Sequence, residues 1–498
     1  MIRYFFISLF TLSISIQAQT QNSKPYIDKV LVKIHSNNPS LADSLLKLNI
    51  ISMSCRGSVL DSELIIDKQT LLWLEVNNIS FSIIHNNVEE MIKSKMDRIR
   101  FLKSKRSTDF FSVYRELDEI EDRINTIVAS SDIVNKQVIG QSYEGRDISS
   151  IKISVDNAIE NKPAIFINGC QHAREWITPM ATTYLIETLS NQYNSNDNIN
   201  TFLNEVDVYI VPIVNPDGYI YTWEEDRWWR KNRQPNYYNG DIPSSCFGTD
   251  LNRNWGFDWN GLQSTSLDFC SDIYVGTSSF SAPETEIVSE YMSSIPNLVS
   301  HIDIHSYSAL IIGPWGYINE VTEDNDEFFC LGTEMQSAVI NTHDYPYIYG
   351  TGSVGGALYL VSGSMLDWVY SSFSALSYLY ELRPVNTFQG LDGFNNLEEE
   401  IIPTCEEFYQ GFLEMLEHAY FGSCEAIVIL GCTDQAADNY NPEAIEDNGS
   451  CIYSTFIETI EKQNILITTI DFLGRENHSS GFSIEIYDDG SVEKIYTH

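Results

Sequence analysis

Between Phe110 and Glu381, short apolar-rich runs alternate with stretches whose apolar residues recur every three or four positions, and few architectures accept that order. Pro163–Gly169, Val206–Val214, Leu298–Ile304 and Leu376–Glu381 read as buried strands. Leu117, Ile120, Ile124 and Val128 mark one helical face, and Ile177, Met180, Ala181, Tyr184 and Leu185 mark another. Strands that alternate with helices predict an α/β fold, with a mostly parallel mixed sheet and helices on both faces. Ligands of such sheets sit outside the carboxyl ends of the strands. The candidate chemical residues fall at those ends.

The flanks read differently. At 498 residues the chain is long enough for two to four folded units, and a hydrophobic fraction of 43% supports a large core. Acidic side chains number 69 against 30 basic ones, a surface that repels phosphate backbones and argues against nucleic acid as a partner. Arg3, the apolar run Tyr4–Ile16 and Ala18 have the form of an export signal over residues 1–18. No later stretch reaches the roughly 18 apolar residues of a membrane helix. Export permits disulfides among the nine cysteines. Residues 26–95 read as a small mixed module: a strand over Tyr26–Ile34, a helical pattern over Ser40–Leu48 and two strand-like runs within Glu63–Ile84. A helical stretch then carries Lys93, Lys95, Arg98, Arg100, Lys103, Lys105 and Arg106. That cluster reads either as a solvated helix face or as a protease-sensitive linker. Beyond Phe421, Cys432 and Cys451 bracket a polar unit, and Ser454–His498 holds short β-like runs around Gly474 and Asp488–Gly490.

The sharpest local signal is His172-Ala173-Arg174-Glu175-Trp176. A His and a Glu three apart on a tight turn or helix start can face one cation, and catalytic zinc takes three protein ligands and keeps a fourth position open. His305, closing His301-Ile302-Asp303-Ile304-His305-Ser306-Tyr307, is the natural third ligand, and His301 is the alternative. Taken alone, a His-x-x-Glu pair is more often structural.

The pair does not stand alone. Gln171–Ile177, Trp229-Arg230-Lys231-Asn232-Arg233, Asp250-Leu251-Asn252-Arg253-Asn254-Trp255, His305-Ser306-Tyr307-Ser308 and Glu381-Leu382-Arg383 resemble, in order and interval, the motifs of the pancreatic-type carboxypeptidase A/B zinc peptidases. The resemblance covers roughly Phe110 to Tyr420. It implies that His172, Glu175 and His305 hold one Zn2+ per chain, and that Asp250 orients His172. It implies Glu381 as the general base toward the attacking water and Arg230 as the stabiliser of the oxyanion. Asn252, Arg253 and Tyr359 would hold the substrate's terminal carboxylate, with Arg174 serving the preceding residue; on sequence grounds Asn252 and Arg253 are equally compatible with a structural role. A disulfide between Cys246 and Cys270 is implied, whereas Cys170 reads as a buried small hydrophobe.

The same resemblance places Ile312, Val354, Leu358, Val361, Leu366 and Leu379 around the departing side chain. Leu366 stands where relatives that remove Lys or Arg carry an acid, so apolar or aromatic C-terminal residues are expected. Asp367 is expected to point away and serve the fold. Met365, in place of a small polar residue, is expected to narrow the pocket; Pro384 is a second departure, after Glu381-Leu382-Arg383.

Residues 24–106 resemble the family's inhibitory pro-domain with an activation linker, preceding a catalytic domain over 107–424. Residues 428–453 resemble a Cys-bracketed acidic repeat of secreted bacterial proteins, where Asp434, Asp438 and Asp447 are candidates for Ca2+ or for a plain solvated loop. Residues 454–498 resemble a type IX secretion sorting signal, which implies outer-membrane secretion machinery as a partner and a secreted or cell-surface location. The whole reads as a monomeric, secreted zinc metallocarboxypeptidase made as a zymogen. The rival reading is an inactive peptide-binding surface protein on the same groove.

Overall fold

The computed structural model describes residues 26–498 except 37–40, 42–43, 46–47, 49, 53–62, 106–108, 239–241, 353–358, 385–392, 395, 425–429, 441–445, 448, 454–465, 471–474, 477–480, 489 and 498. The export-signal expectation and the residues Val354, Leu358 and Arg106 therefore lie outside the described residues. The chain divides into two compact units, Met1–Glu425 and Ala426–His498.

In the first unit, β1 (Val30–Ile34) pairs antiparallel with both β2 (Glu63–Ile66) and β3 (Phe81–His85). Helix α1 (Lys68–Val76) starts where the Asp67 carboxylate accepts the Thr70 N–H. Helix α2 (Val88–Lys103) is capped by Asn87, with Glu89 and Glu90 in its first turn and Arg100 and Lys103 in its last, the arrangement that its dipole favours. Val32, Ile34, Leu64, Ile66 and Leu74 form this module's own small core.

The basic cluster on α2 is largely spoken for, which neither sequence reading anticipated. Lys95 is buried, with Nζ 2.7 Å from Glu398 Oε1 and donating to the Asn396 carbonyl at 2.6 Å. Arg98 bonds Glu398 and Glu399, and Lys103 pairs with Glu116 and Glu119. Tyr26, Leu31, Ile65 and Val88 pack in one apolar cluster with Trp228 and Phe394. The reason is tertiary: the partners lie up to 301 residues away in sequence.

Past α3 (Leu117–Ser130) comes an eight-stranded mixed sheet. Its strands are β4 (Val134–Gln141), β5 (Asp147–Ile153), β6 (Ala164–Gly169), β7 (Asp207–Val211), β8 (Leu298–Ser306), β9 (Leu310–Gly313), β10 (Ile348–Thr351) and β11 (Leu376–Leu382). The spatial order is β10-β9-β11-β8-β6-β7-β5-β4. The central four, β11, β8, β6 and β7, run parallel, and their near-continuous burial is what a sheet covered on both faces requires. Antiparallel pairings at β9 and β5 begin the two flanks. Helix α4 (Ile177–Gln192) and the long α5 (Ile401–Phe421) share one large core with the sheet. The sequence-based expectation of a mostly parallel sheet with helices on both faces holds.

Cys246–Cys270 and Cys330–Cys424 are bridged, while Cys170 and Cys405 are buried and free. The second unit contains the Cys432–Cys451 bridge and an antiparallel sheet of Leu466–Ile470, Gly481–Tyr487 and Val492–Thr497. Asp434 accepts from Tyr453 Oη and from the Ala436 N–H, and no metal-ligating group is found there among the described residues. No described helix is long and apolar enough to cross a membrane.

Candidate metal centre and substrate pocket

The site is assembled at the carboxyl ends of three adjacent parallel strands. After Gly169 ends β6, Cys170 adopts a left-handed backbone (φ 58°) and the chain turns sharply into the start of α4. That turn carries His172 and Glu175, closed by Glu175 N–H to the His172 carbonyl at 3.2 Å. On β8 and β11, His305 and Glu381 are register partners, so both project from neighbouring strand ends.

His172, Glu175 and His305 are buried and their ligand atoms lie within 4.8 Å of one another. His172 Nδ1 is 2.8 Å from Glu175 Oε1, and His305 Nδ1 is 3.1 Å from Glu175 Oε2. The two Nδ1 atoms face each other at 3.0 Å. Both outer nitrogens are occupied: His172 Nε2 is 3.1 Å from Asp250 Oδ1, and His305 Nε2 is 2.8 Å from Asp303 Oδ2, its nearest partner and the acceptor there, with Asn252 Nδ2 at 3.0 Å. With the Nε2 protons donated to carboxylates, both Nδ1 lone pairs point at one spot, where a carboxylate also points. Two imidazole nitrogens and one carboxylate are the donor set of a catalytic zinc with an open position. The residues present fit that ion.

Electrostatics agree. Burial and the nearby Arg230 cation hold His172 below its ordinary pKa, which favours the neutral ligand form. Burial alone would lower His305, but the Asp303 and Glu175 carboxylates outweigh it and raise it well above the ordinary value. A proton and a metal ion then compete for its Nδ1. Burial would raise Glu175, yet the two imidazoles keep its carboxyl below the ordinary range. Asp250, also buried, is held well below that range by Arg230, Arg253 and His172.

The pocket beside the cluster is lined by His172, Arg230, Asn252, Arg253, His305, Tyr359, Leu366 and Glu381 among others. Arg230 donates Nε and Nη2 to Asp250 Oδ2 at 3.0 and 2.9 Å, which fixes the plane of its guanidinium. Arg253 donates to the Ser264 and Asn252 carbonyls at 2.8 Å each and reaches Tyr359 Oη at 3.5 Å. Asn252 Oδ1 accepts the Met365 N–H at 2.9 Å. Glu381 is half-buried, with its Oε2 out of reach of solvent; desolvation, against the pull of His305 and Arg230, pushes its carboxyl up to about 8. Its Oε2 makes no hydrogen bond to the described protein.

Arg174 stands apart from this pocket. It is buried under the Phe394 ring, 4.4 Å from its centroid, and donates to the Trp228 carbonyl at 3.4 Å. Ile312, Val361, Leu366 and Leu379 line the pocket, and three of them cluster with Leu310. Asp367 accepts the Gly316 and Tyr317 N–H groups at 2.8 and 3.0 Å, so its carboxylate fixes the backbone of the pocket wall. Met365 does not narrow the pocket; it is buried in the core cluster of Trp255 and Trp368, with its sulfur 3.6 Å from Gln171 Nε2. The reason is helical phase, since α6 (Met365–Phe373) turns Leu366 to the pocket and Met365 to the core. His301 is no ligand: it bonds Ser377 Oγ at 2.8 Å and Asn168 Oδ1 at 2.9 Å beneath the site. Sequence reasoning assigned no role to Asp303, Gln171 or Asn168. Polar residues at every second position of a buried strand, His301-x-Asp303-x-His305, were the available signal.

Comparison with known proteins agrees with this geometry. The family profile described as zinc carboxypeptidase matches residues 120–411. Carboxypeptidase A1 of Mus musculus is 32% identical over 350 residues, covering 70% of this chain and 80% of its own. A zinc carboxypeptidase of Simulium vittatum is 36% identical over 309 residues, 61% of this chain and 96% of that one. The crystal structure of thrombin activatable fibrinolysis inhibitor superposes with a TM-score of 0.69 at 29% identity, over 79% of this chain and 98% of that one.

Proposed function

The chain belongs to the zinc carboxypeptidase family and is a peptide hydrolase acting on C-termini; from that premise we propose that His172, Glu175 and His305 hold its zinc and Glu381 is its general base. The observation that carries the reading is the convergence of two Nδ1 atoms and one carboxylate on a single point, beside Glu381, whose buried Oε2 has no hydrogen-bond partner among the described residues. Zinc held there supplies a Lewis acid for the scissile carbonyl and favours ionisation of the attacking water.

Within this reading the chain's own groups divide the work. Glu381 Oε2 accepts the proton of the attacking water and returns it to the departing amine. A raised carboxyl pKa suits both halves of that transfer, and a bound dication would draw it down toward neutrality. Arg230, clamped by Asp250, presents a permanent cation where the oxyanion develops. Asn252, Arg253 and Tyr359 take the free carboxylate of the substrate, which makes the enzyme an exopeptidase. The apolar wall of Ile312, Leu366 and Leu379 accepts Leu, Met, Phe or Tyr and disfavours an unpaired ammonium. Residues 24–106 act as a pro-domain, docked through α2 and Trp228 and Phe394, close to Arg174. Residues 1–18 and 454–498 serve export and sorting. Zinc content of the purified chain, measured with hydrolysis of a blocked dipeptide ending in Phe, tests the reading. One zinc per chain with activity lost on chelation is expected, and activity unchanged by complete zinc removal would refute it.

A further inference from the structure

Two histidines face the metal point, and each leans on its own buried carboxylate. For His172 that partner is Asp250, shared with Arg230 and Arg253. For His305 it is Asp303, two residues earlier on the same strand, with no accessible surface. The surroundings of Asp303 fix which way every proton points. Trp255 Nε1 can only donate, and it donates to Gln171 Oε1 at 3.0 Å. The amide of Gln171 is thereby oriented, and its Nε2 donates to both oxygens of Asp303 at 2.8 Å. On the other side Asn168, the register partner of Asp303, donates Nδ2 to Oδ1 at 2.7 Å. Its Oδ1 then faces His301 Nε2 at 2.9 Å, and His301 Nδ1 faces Ser377 Oγ at 2.8 Å. Asp303 is left as acceptor only, its charge met by two amides and one imidazole, all buried.

We propose that Asp303 is a positioning residue for the metal centre. Held by Trp255 through Gln171 and by His301 through Asn168, it locks His305 in the Nε2–H tautomer and turns the Nδ1 lone pair to the metal. This role for Asp303 presupposes that His172, Glu175 and His305 bind zinc. Its physical content is that a carboxylate behind a ligating imidazole fixes the ring and raises its basicity, so the ion is held more tightly. A merely structural Asp303 would stabilise the strand with or without metal. The order of the polar residues argues for more: the Gln171 and Asn168 amides both donate to Asp303, and its one ring partner is a proposed ligand.

The test uses the full chain carrying Asp303→Asn, Asp303→Ser or Trp255→Phe beside the unaltered protein. Zinc-loaded samples are diluted into excess chelator, and the zinc release rate is read together with the melting temperature of the metal-stripped form. Release is expected to quicken about 10–100-fold in the Asp303 variants. A smaller acceleration is expected in Trp255→Phe, which keeps the carboxylate but frees Gln171 to turn. Release at the unaltered rate from a folded Asp303 variant overturns the proposal, even where the metal-stripped form has lost stability. Should neither Asp303 variant fold, an unaltered release rate in Trp255→Phe overturns it instead. An unaltered protein that binds no zinc would remove the ligand assignment itself, so the two failures are distinct.

Discussion

Glu398→Gln removes the carboxylate that holds α2 of the N-terminal module and leaves the Lys95 ammonium buried. Lys95 is only 7% exposed in its side chain, Glu398 2%, and their charged atoms are 2.7 Å apart. Arg98 is 46% exposed, so its bond to Glu398 adds little. Breaking a buried pair by removing one partner costs about 3–5 kcal/mol. Lys95 has an escape, however, because burial already lowers its pKa to about 8, against the pull of Glu398. It can lose its proton, and from a reference pKa near 10.4 that costs about 4 kcal/mol at pH 7.5. The penalty is therefore about 3–4 kcal/mol at that pH, which is roughly 10²–10³-fold in the undocked population. The sign with pH follows from linkage. Without Glu398, which raises it, the docked Lys95 is held lower still and binds fewer protons than the released lysine, so docking of the variant strengthens as pH rises. The assay is hydrolysis of a blocked dipeptide by the uncut chain, with trypsin cleavage at Arg98 and Arg100 as a second measure of opening. Basal activity and cleavage rate should both rise strongly at pH 7.5, and the rise should shrink as pH increases. Activity and cleavage within about threefold of the unaltered chain would refute both the buried-pair energetics and the blocking role of the module.

Two further outcomes are expected. Leu366→Asp places a carboxylate against Ile312 and Leu379, so kcat/KM should fall for peptides ending in Phe and rise for those ending in Lys or Arg; an unchanged preference would mean that Leu366 does not face the departing side chain. Limited trypsin on the unaltered chain should cut first near Lys105 and Arg106 and only slowly at Arg98, whose helix is docked, and activity should lag behind the first cut until the module dissociates; immediate full activity on that first cut would contradict the ionic docking.

The central sheet was legible because β6, β7, β8 and β11 are buried on both faces and leave near-continuous apolar runs. The hairpin β4–β5 was not, since its half-exposed pattern carries less apolar contrast. Strand β10 is four residues long with little burial, and propensity has nothing to grip there. At the site, the ordered motifs located His172, Glu175, His305, Arg230 and Glu381, which meet within one pocket region. The role of Asp303 depends on Gln171 and Asn168 facing it from another strand and turn, a relation that lives in register and not in spacing. Likewise Lys95 reads as one more exposed cation until Glu398 is placed beside it. Met365 was misjudged because a one-residue step along α6 turns a side chain by about 100°.

The most direct test of the central claim is the pair of numbers obtained from Glu381→Gln: zinc per chain and kcat. Glu381 lines the pocket but is not among the three converging ligands, so the variant should keep one zinc. Its kcat should fall by about 10²–10⁴-fold, the range that a positioned base contributes. His172→Ala and His305→Ala, measured alongside, should lose the metal as well as turnover. Near-normal kcat in Glu381→Gln with zinc retained would contradict the mechanism outright.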